Sequence, residues 1–299
     1  MKNPALVILA AGLGSRYGGL KQIDTVGNNG ESIIDFSIYD AYQAGFRKVV
    51  LIIREEHQNL FEENIGSKVR PFMDVVYAYQ DVRDLPEGFT APEDRIKPWG
   101  TTHALLCAEK HIDEPFMIIN ADDFYGKESY KIMYDFLKNE VTDSLFGMVG
   151  YQLTKTLSSS GAVARAICKK DEDGNLSHIE ECPKIIRKGG QAYRIEDGRE
   201  IRLEDGVCSM NYWGFTPAVF PLMKEDFISF LKEKLEVDKR ELVIPTSIAK
   251  IVENKKAKVR VMSTTSEWFG VTYPQDKIEV QRKILQYKKE DIYPFDLWA

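Results

Sequence analysis

Short apolar runs alternate with helical patterns over the first 150 residues of this 299-residue chain. An unbroken run of four or five apolar residues is typical of a strand that is covered on both faces. Apolar positions at helical spacing, such as Ile34, Ile38 and Ala41, indicate a helix that Gly45 would end. Strands that alternate with helices predict a parallel sheet with right-handed crossovers. The four predicted strands cover residues 5–9, 49–53, 75–79 and 116–119.

The pattern changes at about residue 144. Turn sequences at 171–175 and 196–199 each lie between two short strand patterns and predict two hairpins. The whole chain therefore predicts an α/β fold with a Rossmann-like mixed, mostly parallel sheet, helices on both faces and a small antiparallel extension. The later elements are a strand at 144–153, helices at 217–235 and 245–254, a strand at 258–262 and a helix at 275–289, before an aromatic tail.

Charge and composition exclude several functional classes. A net charge of −6 argues against a nucleic-acid partner, because binding to a phosphate backbone requires a basic surface. The four cysteines form no CxxC pair, which predicts neither a zinc site nor a disulfide framework and favours a reducing cytoplasm. No apolar run approaches the roughly 20 residues of a membrane span, so no membrane association is expected.

The glycine-rich segment LAAGLGSRYGGLKQ, residues 9–22, follows the first predicted strand directly. Small residues allow backbone N–H groups to approach an anion, while Arg16 could bridge two phosphate oxygens and Lys21 could add a second positive charge. Tyr17 stands where a dinucleotide fingerprint has its third glycine, and the GxxxxGK[ST] pattern of P-loop proteins is missing. A phosphate-binding loop of another kind is the main interpretation, and a plain structural turn is the alternative.

The pattern LAAGxGSR…K resembles the phosphate loop of the nucleotidyltransferase superfamily, which includes the sugar-1-phosphate nucleotidyltransferases. Three further segments match that family in the same order: Gln80 after the third strand, PWGTTHA at 98–104 and INADD at 119–123. The resemblance implies a nucleotide-diphospho-sugar transferase fold and catalytic roles for Arg16, Lys21 and Asp122. The nucleotide-binding residues that it implies are Ala10, Ala11, Gly12, Gly14, Ser15, Gln80, Gly100 and Thr101.

The same resemblance implies a Mg²⁺ cofactor. Asp122 and Asp123 follow the fourth predicted strand, and Mg²⁺ prefers such oxygen ligands. Asp122 is the implied ligand and Asp123 the implied holder of a metal-bound water, with capping of the next turn as the alternative for either residue. Related enzymes often carry a second metal aspartate in a W-x-D segment, where this chain has Gly270. Either one carboxylate suffices, or a neighbour such as Asp276 substitutes.

The acceptor side shows a second departure from the family. Residues 180–183, EECP, resemble the family segment E-E-K-P, whose glutamate holds sugar hydroxyls and whose lysine contacts phosphate. Glu181 matches that glutamate, Cys182 replaces the lysine, and Lys184 has the wrong strand parity for a simple exchange. Residues 209–215 resemble the family's strand that lies under the sugar, which implies that Asn211 is its polar contact to the acceptor. For Arg165 we expect a solvated surface side chain, with a phosphate contact as the alternative.

These resemblances imply transfer of a nucleoside monophosphate from an NTP to a sugar 1-phosphate, with Mg²⁺ and with release of pyrophosphate. Phosphocholine or another alcohol phosphate is the alternative acceptor, and a non-catalytic nucleotide-binding regulator is the alternative of another class. A glycosyltransferase is disfavoured because Asp122-Asp123 is not the DxD motif that such an enzyme needs, and because the glycine-rich loop, which it does not need, is present. A single domain is expected, with a nucleotide-binding half (1–150), an acceptor-binding half (151–274) and a C-terminal helix and tail (275–299). A homo-oligomer is compatible with the sequence.

Overall fold

The computed structural model describes residues 2–12, 21–158, 161–234, 240–271 and 275–299. The strands are β1 (Ala5–Leu9), β2 (Lys48–Ile53), β3 (Asp74–Tyr79), β4 (Phe116–Asn120), β5 (Asp123–Phe124), β6 (Leu145–Gln152), β7 (Val163–Lys170), β8 (Leu176–Lys188), β9 (Gln191–Glu196), β10 (Arg199–Arg202), β11 (Val207–Phe215), β12 (Lys258–Ser263) and β13 (Phe269–Gly270). The helices are α1 (Ile33–Ala44), α2 (Gln58–Phe61), α3 (Ser67–Val69), α4 (Thr101–Cys107), α5 (Lys127–Asn139), α6 (Val219–Lys234), α7 (Ile244–Glu253) and α8 (Asp276–Lys289).

One large mixed sheet runs through both predicted halves of the chain. Its parallel core has the order β4-β1-β2-β3, and β11 pairs antiparallel with β4. Beyond β11 the sheet continues antiparallel through β7, β8, β9 and β10, while β6 pairs with β11 and with the parallel strand β12. Strands β5 and β13 form a separate two-stranded sheet. The predicted mixed sheet with parallel core strands is confirmed.

Two apolar layers cover the two faces of the sheet, as predicted for a sheet with helices on both sides. One layer includes side chains of α1 and α5, and the other includes side chains of α4, α6 and α7. Helix α5 was not among the predicted elements, although its buried Tyr130, Met133 and Leu137 recur at helical spacing. Within the described ranges, each helix is too short or too polar to cross a membrane.

The C-terminal segment packs on its own domain. The Tyr293 hydroxyl donates a 2.6 Å hydrogen bond to Asp40 Oδ2 on α1. Lys288 of α8 forms a buried ion pair with Glu31, and the Trp298 ring lies edge-on to Tyr39. From the sequence alone, the aromatic tail could pack on its own domain or on a partner. In the structure it packs over α1 and covers the apolar side chains there.

The buried Asp40 carboxyl predicts a pH-dependent stability. Burial raises the pKa of Asp40 from 3.8 to about 7, although the Tyr293 hydroxyl and the charge of Lys127 act in the opposite direction. A carboxyl whose pKa is raised on folding makes its full contribution to stability at pH values below its pKa in the unfolded chain. This contribution is lost as the pH rises towards its pKa in the folded protein. At 1.36 kcal/mol per pKa unit, the loss between about pH 4 and pH 7 is about 4 kcal/mol.

The variant Asp40→Asn keeps an oxygen for Tyr293 but carries no charge. We therefore expect its free energy of unfolding, measured in urea from pH 4 to pH 8, to exceed that of the wild type increasingly as the pH rises. Asp135→Asn is the control, because Asp135 lies exposed on α5 and pairs with Lys131 at the surface. Parallel stability curves for the wild type and Asp40→Asn would contradict this account of Asp40.

Candidate functional site

The carboxyl ends of the parallel strands meet at one edge of the sheet. Leu9 at the end of β1 is paired with both Ile52 on β2 and Asn120 on β4, and Ile53 is paired with Tyr79 on β3. This register brings the start of the glycine-rich segment, Gln80 and the aspartates after β4 to the same edge. Ligands of open α/β sheets bind at such an edge.

The glycine-rich segment leaves β1 through two buried alanines. The Ala10 N–H donates to Ile52 O at 2.8 Å, and Ala11 is also buried. Gly12 is exposed, and its carbonyl accepts a 2.7 Å hydrogen bond from Gln22 Nε2. The predicted phosphate contacts Gly14, Ser15 and Arg16 lie outside the described residues, as does the side chain of Lys21. Their roles remain predictions.

Gln80 and Gly100, which are far apart in sequence, are in contact. Gln80 Nε2 donates to Gly100 O at 3.1 Å and lies 3.3 Å from His103 Nδ1. Gly100 has φ +105, and a Cβ there would lie 2.3 Å from Leu242 O, so only glycine fits. The Thr101 hydroxyl accepts the Ile244 N–H at 2.9 Å. The structure therefore brings these predicted nucleotide-binding residues together and also gives Gly100 and Thr101 a structural role.

The two aspartates after β4 differ in their surroundings. Asp122 is half-buried, and its backbone carbonyl accepts the Val271 N–H at 3.3 Å. Asp123 is buried, and its Oδ2 accepts a hydrogen bond of 2.8 Å from Asn120 Nδ2. The Tyr125 hydroxyl lies 3.3 Å from the same oxygen but donates its shorter bond, of 2.8 Å, to Met210 O. Asp123 is thus held in one orientation by β4.

The glycine at position 270 is explained by its strand pairing. Gly270 on β13 lies directly opposite Asp123 on β5, and a Cβ at Gly270 would lie 2.5 Å from Asp123 Oδ1. The family's second aspartate would therefore displace Asp123. Asp276, the alternative substitute, begins α8 and accepts a 3.4 Å hydrogen bond from Ser158.

The donors at this edge suit a small hard cation. Asp122 and Asp123 supply carboxylate oxygens, and the described residues contain no group of three His, Cys, Asp or Glu side chains that could enclose a metal. Mg²⁺ is commonly held by one or two carboxylates together with substrate phosphates and water. The two aspartates therefore fit Mg²⁺ in the presence of a nucleotide better than a fully protein-ligated metal.

A hydrogen-bonded chain connects the carboxylates with β11. Asn211 Nδ2 donates to Asn120 Oδ1 at 2.8 Å, and Trp213 Nε1 donates to Asn211 Oδ1 at 3.0 Å. Asn211 has φ +62 and lies in the irregular stretch where β11 exchanges β7 for β4 as its neighbour. The sequence predicted Asn211 but no role for Asn120, although Asn120 lies two residues before Asp122 in the family segment.

Two substitutions at Asn211 separate its backbone from its side chain. Asn211→Gly keeps access to positive φ, whereas Asn211→Ala is strained there by about 1 kcal/mol or more. We expect the unfolding free energy of Asn211→Ala to be the lower of the two. Both variants lose the bond to Asn120, and turnover should fall about tenfold in each, the range found for outer-shell partners of metal ligands. Wild-type turnover in Asn211→Gly would show that the side chain has no functional role.

On the acceptor side, the structure separates Glu181 from Cys182. Glu181 is exposed and lies opposite Ala166, whereas Cys182 is buried and lies opposite Arg165. The register shifts at Pro183, as expected for a residue that cannot donate to a strand ladder, and Lys184 remains exposed. The structure thus gives no replacement for the family's lysine on β8 itself.

The expectation that Arg165 is a solvated surface side chain is wrong. Its guanidinium is half-buried and lies 4.8 Å above the Trp268 ring. The cross-strand position of Arg165 depends on the register of β7 against β8, which shifts between Val163 and Arg165 and which the sequence pattern does not reveal. Tyr212, Trp213 and Phe215 on β11 are completely buried and therefore belong to the core.

Comparison with known proteins agrees with this geometry. The family model described as nucleotidyl transferase matches residues 5–287. A protein assigned as glucose-1-phosphate thymidylyltransferase from Bacillus anthracis, solved with sucrose, is 15% identical with a TM-score of 0.62 and covers 94% of each chain. The inositol-1-phosphate CTP transferase from T. maritima is 14% identical with a TM-score of 0.61, covering 94% of this chain and 95% of its own. No curated protein sequence matches significantly.

Proposed function

Because this chain belongs to the nucleotidyl transferase family, we propose that it transfers a nucleoside monophosphate from an NTP to a phosphorylated small molecule, with a sugar 1-phosphate as the first choice. The observation that carries the proposal is the meeting, at one sheet edge, of three features from separate segments. These are the start of the glycine-rich loop, the Gln80–Gly100 contact and the Asp122–Asp123 pair.

In the proposed reaction, a phosphate oxygen of the acceptor attacks the α-phosphorus of the NTP. The bond from the α-phosphorus to the bridging oxygen breaks, and pyrophosphate leaves with the electron pair. A phosphate monoester has a second pKa of about 6, so the nucleophile is already ionised at neutral pH and no general base is required. Catalysis then consists of positioning and charge stabilisation.

Each part of the site has a proposed task. Asp122 and Asp123 would hold Mg²⁺, which supplies positive charge that neutralises phosphate oxygens when bound. On the sequence motif, Arg16 and the amides of residues 12–15 would bind the β- and γ-phosphates, and Lys21 would bind the α-phosphate. Gln80 and Gly100 would contact the base, with Thr101 beside the ribose. The His103 ring next to them has its pKa lowered by burial and is therefore neutral at pH 7.

The acceptor class is the part of the proposal that depends most on analogy. The two similar structures are assigned as transferases of glucose 1-phosphate and of inositol 1-phosphate, which are a sugar phosphate and an alcohol phosphate. Glu181 and Asn211 are the proposed acceptor contacts. An alcohol phosphate, such as phosphocholine, is the second candidate, because one of the two similar structures is an inositol-1-phosphate CTP transferase.

The test is pyrophosphate release from a matrix of the five common NTPs against several sugar 1-phosphates, inositol 1-phosphate and phosphocholine. Each pair is measured with Mg²⁺ and again with EDTA. We expect one NTP and one acceptor class to give metal-dependent release. Activity with an alcohol phosphate alone would move the assignment to the second candidate. NTP binding without release for any pair would contradict the proposed reaction, and full activity in EDTA would contradict the role of Mg²⁺.

A further inference from the structure

Arg165 lies directly across from the position where the family's E-E-K-P segment has its lysine. In the antiparallel pairing of β7 with β8, Arg165 is the cross-strand partner of Cys182. Directly opposed residues on paired strands place their side chains on the same face of the sheet. Arg165 therefore places a positive charge on the face of the sheet where the family's lysine would place one from β8.

The contacts of Arg165 hold its side chain without neutralising its charge. Its guanidinium donates to Thr156 Oγ1 at 3.2 Å, to Ala164 O at 2.7 Å and to Thr156 O, all of which are uncharged oxygens. No carboxylate among the described residues lies within ion-pair distance of it. A guanidinium has five N–H donors, so one N–H on each terminal nitrogen is still available.

Arg194, on the next strand, provides the contrast. Its guanidinium lies 3.1 Å from Glu196 and 3.6 Å from Glu180, so two carboxylates already balance its charge. Lys184 is exposed on β8. Arg165 is therefore the half-buried cation on this side of the site whose charge is not matched by an adjacent carboxylate.

The surroundings of Arg165 belong to the candidate site. The ring beneath it, Trp268, comes two residues before Gly270, which is paired with Asp123. The Trp268 indole N–H is buried and has no acceptor among the described residues. Burial lowers the pKa of Arg165, and the charges of Asp123 and Glu181 counteract that shift, which places both carboxylates within electrostatic range. An arginine nevertheless remains protonated at any physiological pH.

We propose that Arg165 binds the phosphate of the acceptor and replaces, from the neighbouring strand, the lysine that Cys182 removes. This assignment rests on the proposed function. Cys182 is buried directly opposite Arg165, and a lysine in its place would put a second positive charge opposite Arg165. The planar guanidinium, fixed on Trp268, offers two parallel donors to a phosphate, whereas a lysine offers a mobile point charge.

The test compares the wild type with Arg165→Ala, Arg165→Lys, Arg194→Ala and the double variant Arg165→Ala with Cys182→Lys. Steady-state kinetics give the acceptor KM and the NTP KM separately, and titration calorimetry with inorganic phosphate gives a binding readout that does not depend on turnover. We expect Arg165→Ala to raise the acceptor KM at least tenfold and to leave the NTP KM unchanged. In calorimetry, the same variant should lose the part of the inorganic phosphate binding that the acceptor site contributes. Arg194→Ala should match the wild type, and the double variant should recover part of the acceptor affinity.

The outcomes distinguish this assignment from the proposed reaction. An unchanged acceptor KM and unchanged phosphate binding in Arg165→Ala would overturn the role of Arg165 while leaving the reaction intact. If the wild type turns over no acceptor, and Arg165→Ala nevertheless binds phosphate more weakly than the wild type, the proposed reaction is overturned and the phosphate site is retained. Equal increases in both KM values, with a lowered unfolding temperature, would show that Arg165 is only structural. Recovery by Cys182→Lys would exclude that last explanation.

Discussion

Replacing Asp122 by asparagine is expected to lower kcat by about two to three orders of magnitude, the range found when one preorganised electrostatic group is removed from an active site. Asp122 is half-buried at the carboxyl end of the parallel core, two residues after Asn120, which is paired with the last residue of β1. Asparagine keeps the size of the side chain and one oxygen, but it removes the charge that would attract a divalent cation. The loss should therefore appear in turnover and not in the fold.

The measurement is pyrophosphate release over a range of Mg²⁺ concentrations, together with thermal unfolding of each variant. Asp113→Asn is the matched control, because Asp113 is exposed and pairs with Lys2 at the surface. We expect Asp122→Asn to require more Mg²⁺ and to unfold close to the wild-type temperature. If Asp122 only caps a turn, unfolding will change and the Mg²⁺ requirement will not. That result would remove Asp122 from the proposed metal site.

Introducing the family's aspartate at position 270 is expected to lower turnover by about two orders of magnitude, because a misplacement of about 1 Å at a reacting centre has an effect of that size. A Cβ at this position would lie 2.5 Å from Asp123 Oδ1 and 3.2 Å from Asp122 O. Gly270→Ala already forces Asp123 to move, at about 1–3 kcal/mol for overpacking. Gly270→Asp adds a like charge opposite Asp123, which is destabilising between directly opposed strand residues.

This experiment distinguishes two explanations of Gly270, because they predict opposite changes in turnover. If the chain simply lacks a second carboxylate, Gly270→Asp should raise turnover or tighten Mg²⁺ binding. If Asp123 occupies the space, both position-270 variants should lose turnover, and the aspartate variant should lose more. Gly206→Asp is the control for an added carboxylate, because no atom lies within 4 Å of a Cβ built at Gly206. A gain of activity in Gly270→Asp would refute our explanation.

The local pattern of the sequence determined most of the secondary structure and the edge at which the site lies. Buried strands such as β1 and β2 are apolar throughout, and this property can be recognised without knowledge of the fold. Parallel strands have their carboxyl ends at one edge, so residues that follow different strands, such as Gln80 and Asp122, lie at that edge together.

Only the tertiary structure decided which distant residues face one another. Arg165 lies opposite Cys182, and Gly270 lies opposite Asp123, because particular strands pair in a particular register. A shift of one residue would turn each of these side chains to the other face. The predicted hairpin turn indicates that β7 pairs with β8, but neither the register shift between Val163 and Arg165 nor the pairing of β13 with β5 can be recognised in the local pattern. The sequence therefore determined the apolar strands and the order of the motifs. The assignment of charge to Arg165 and the need for glycine at position 270 arise from contacts across the sheet, which exist only when the chain is folded.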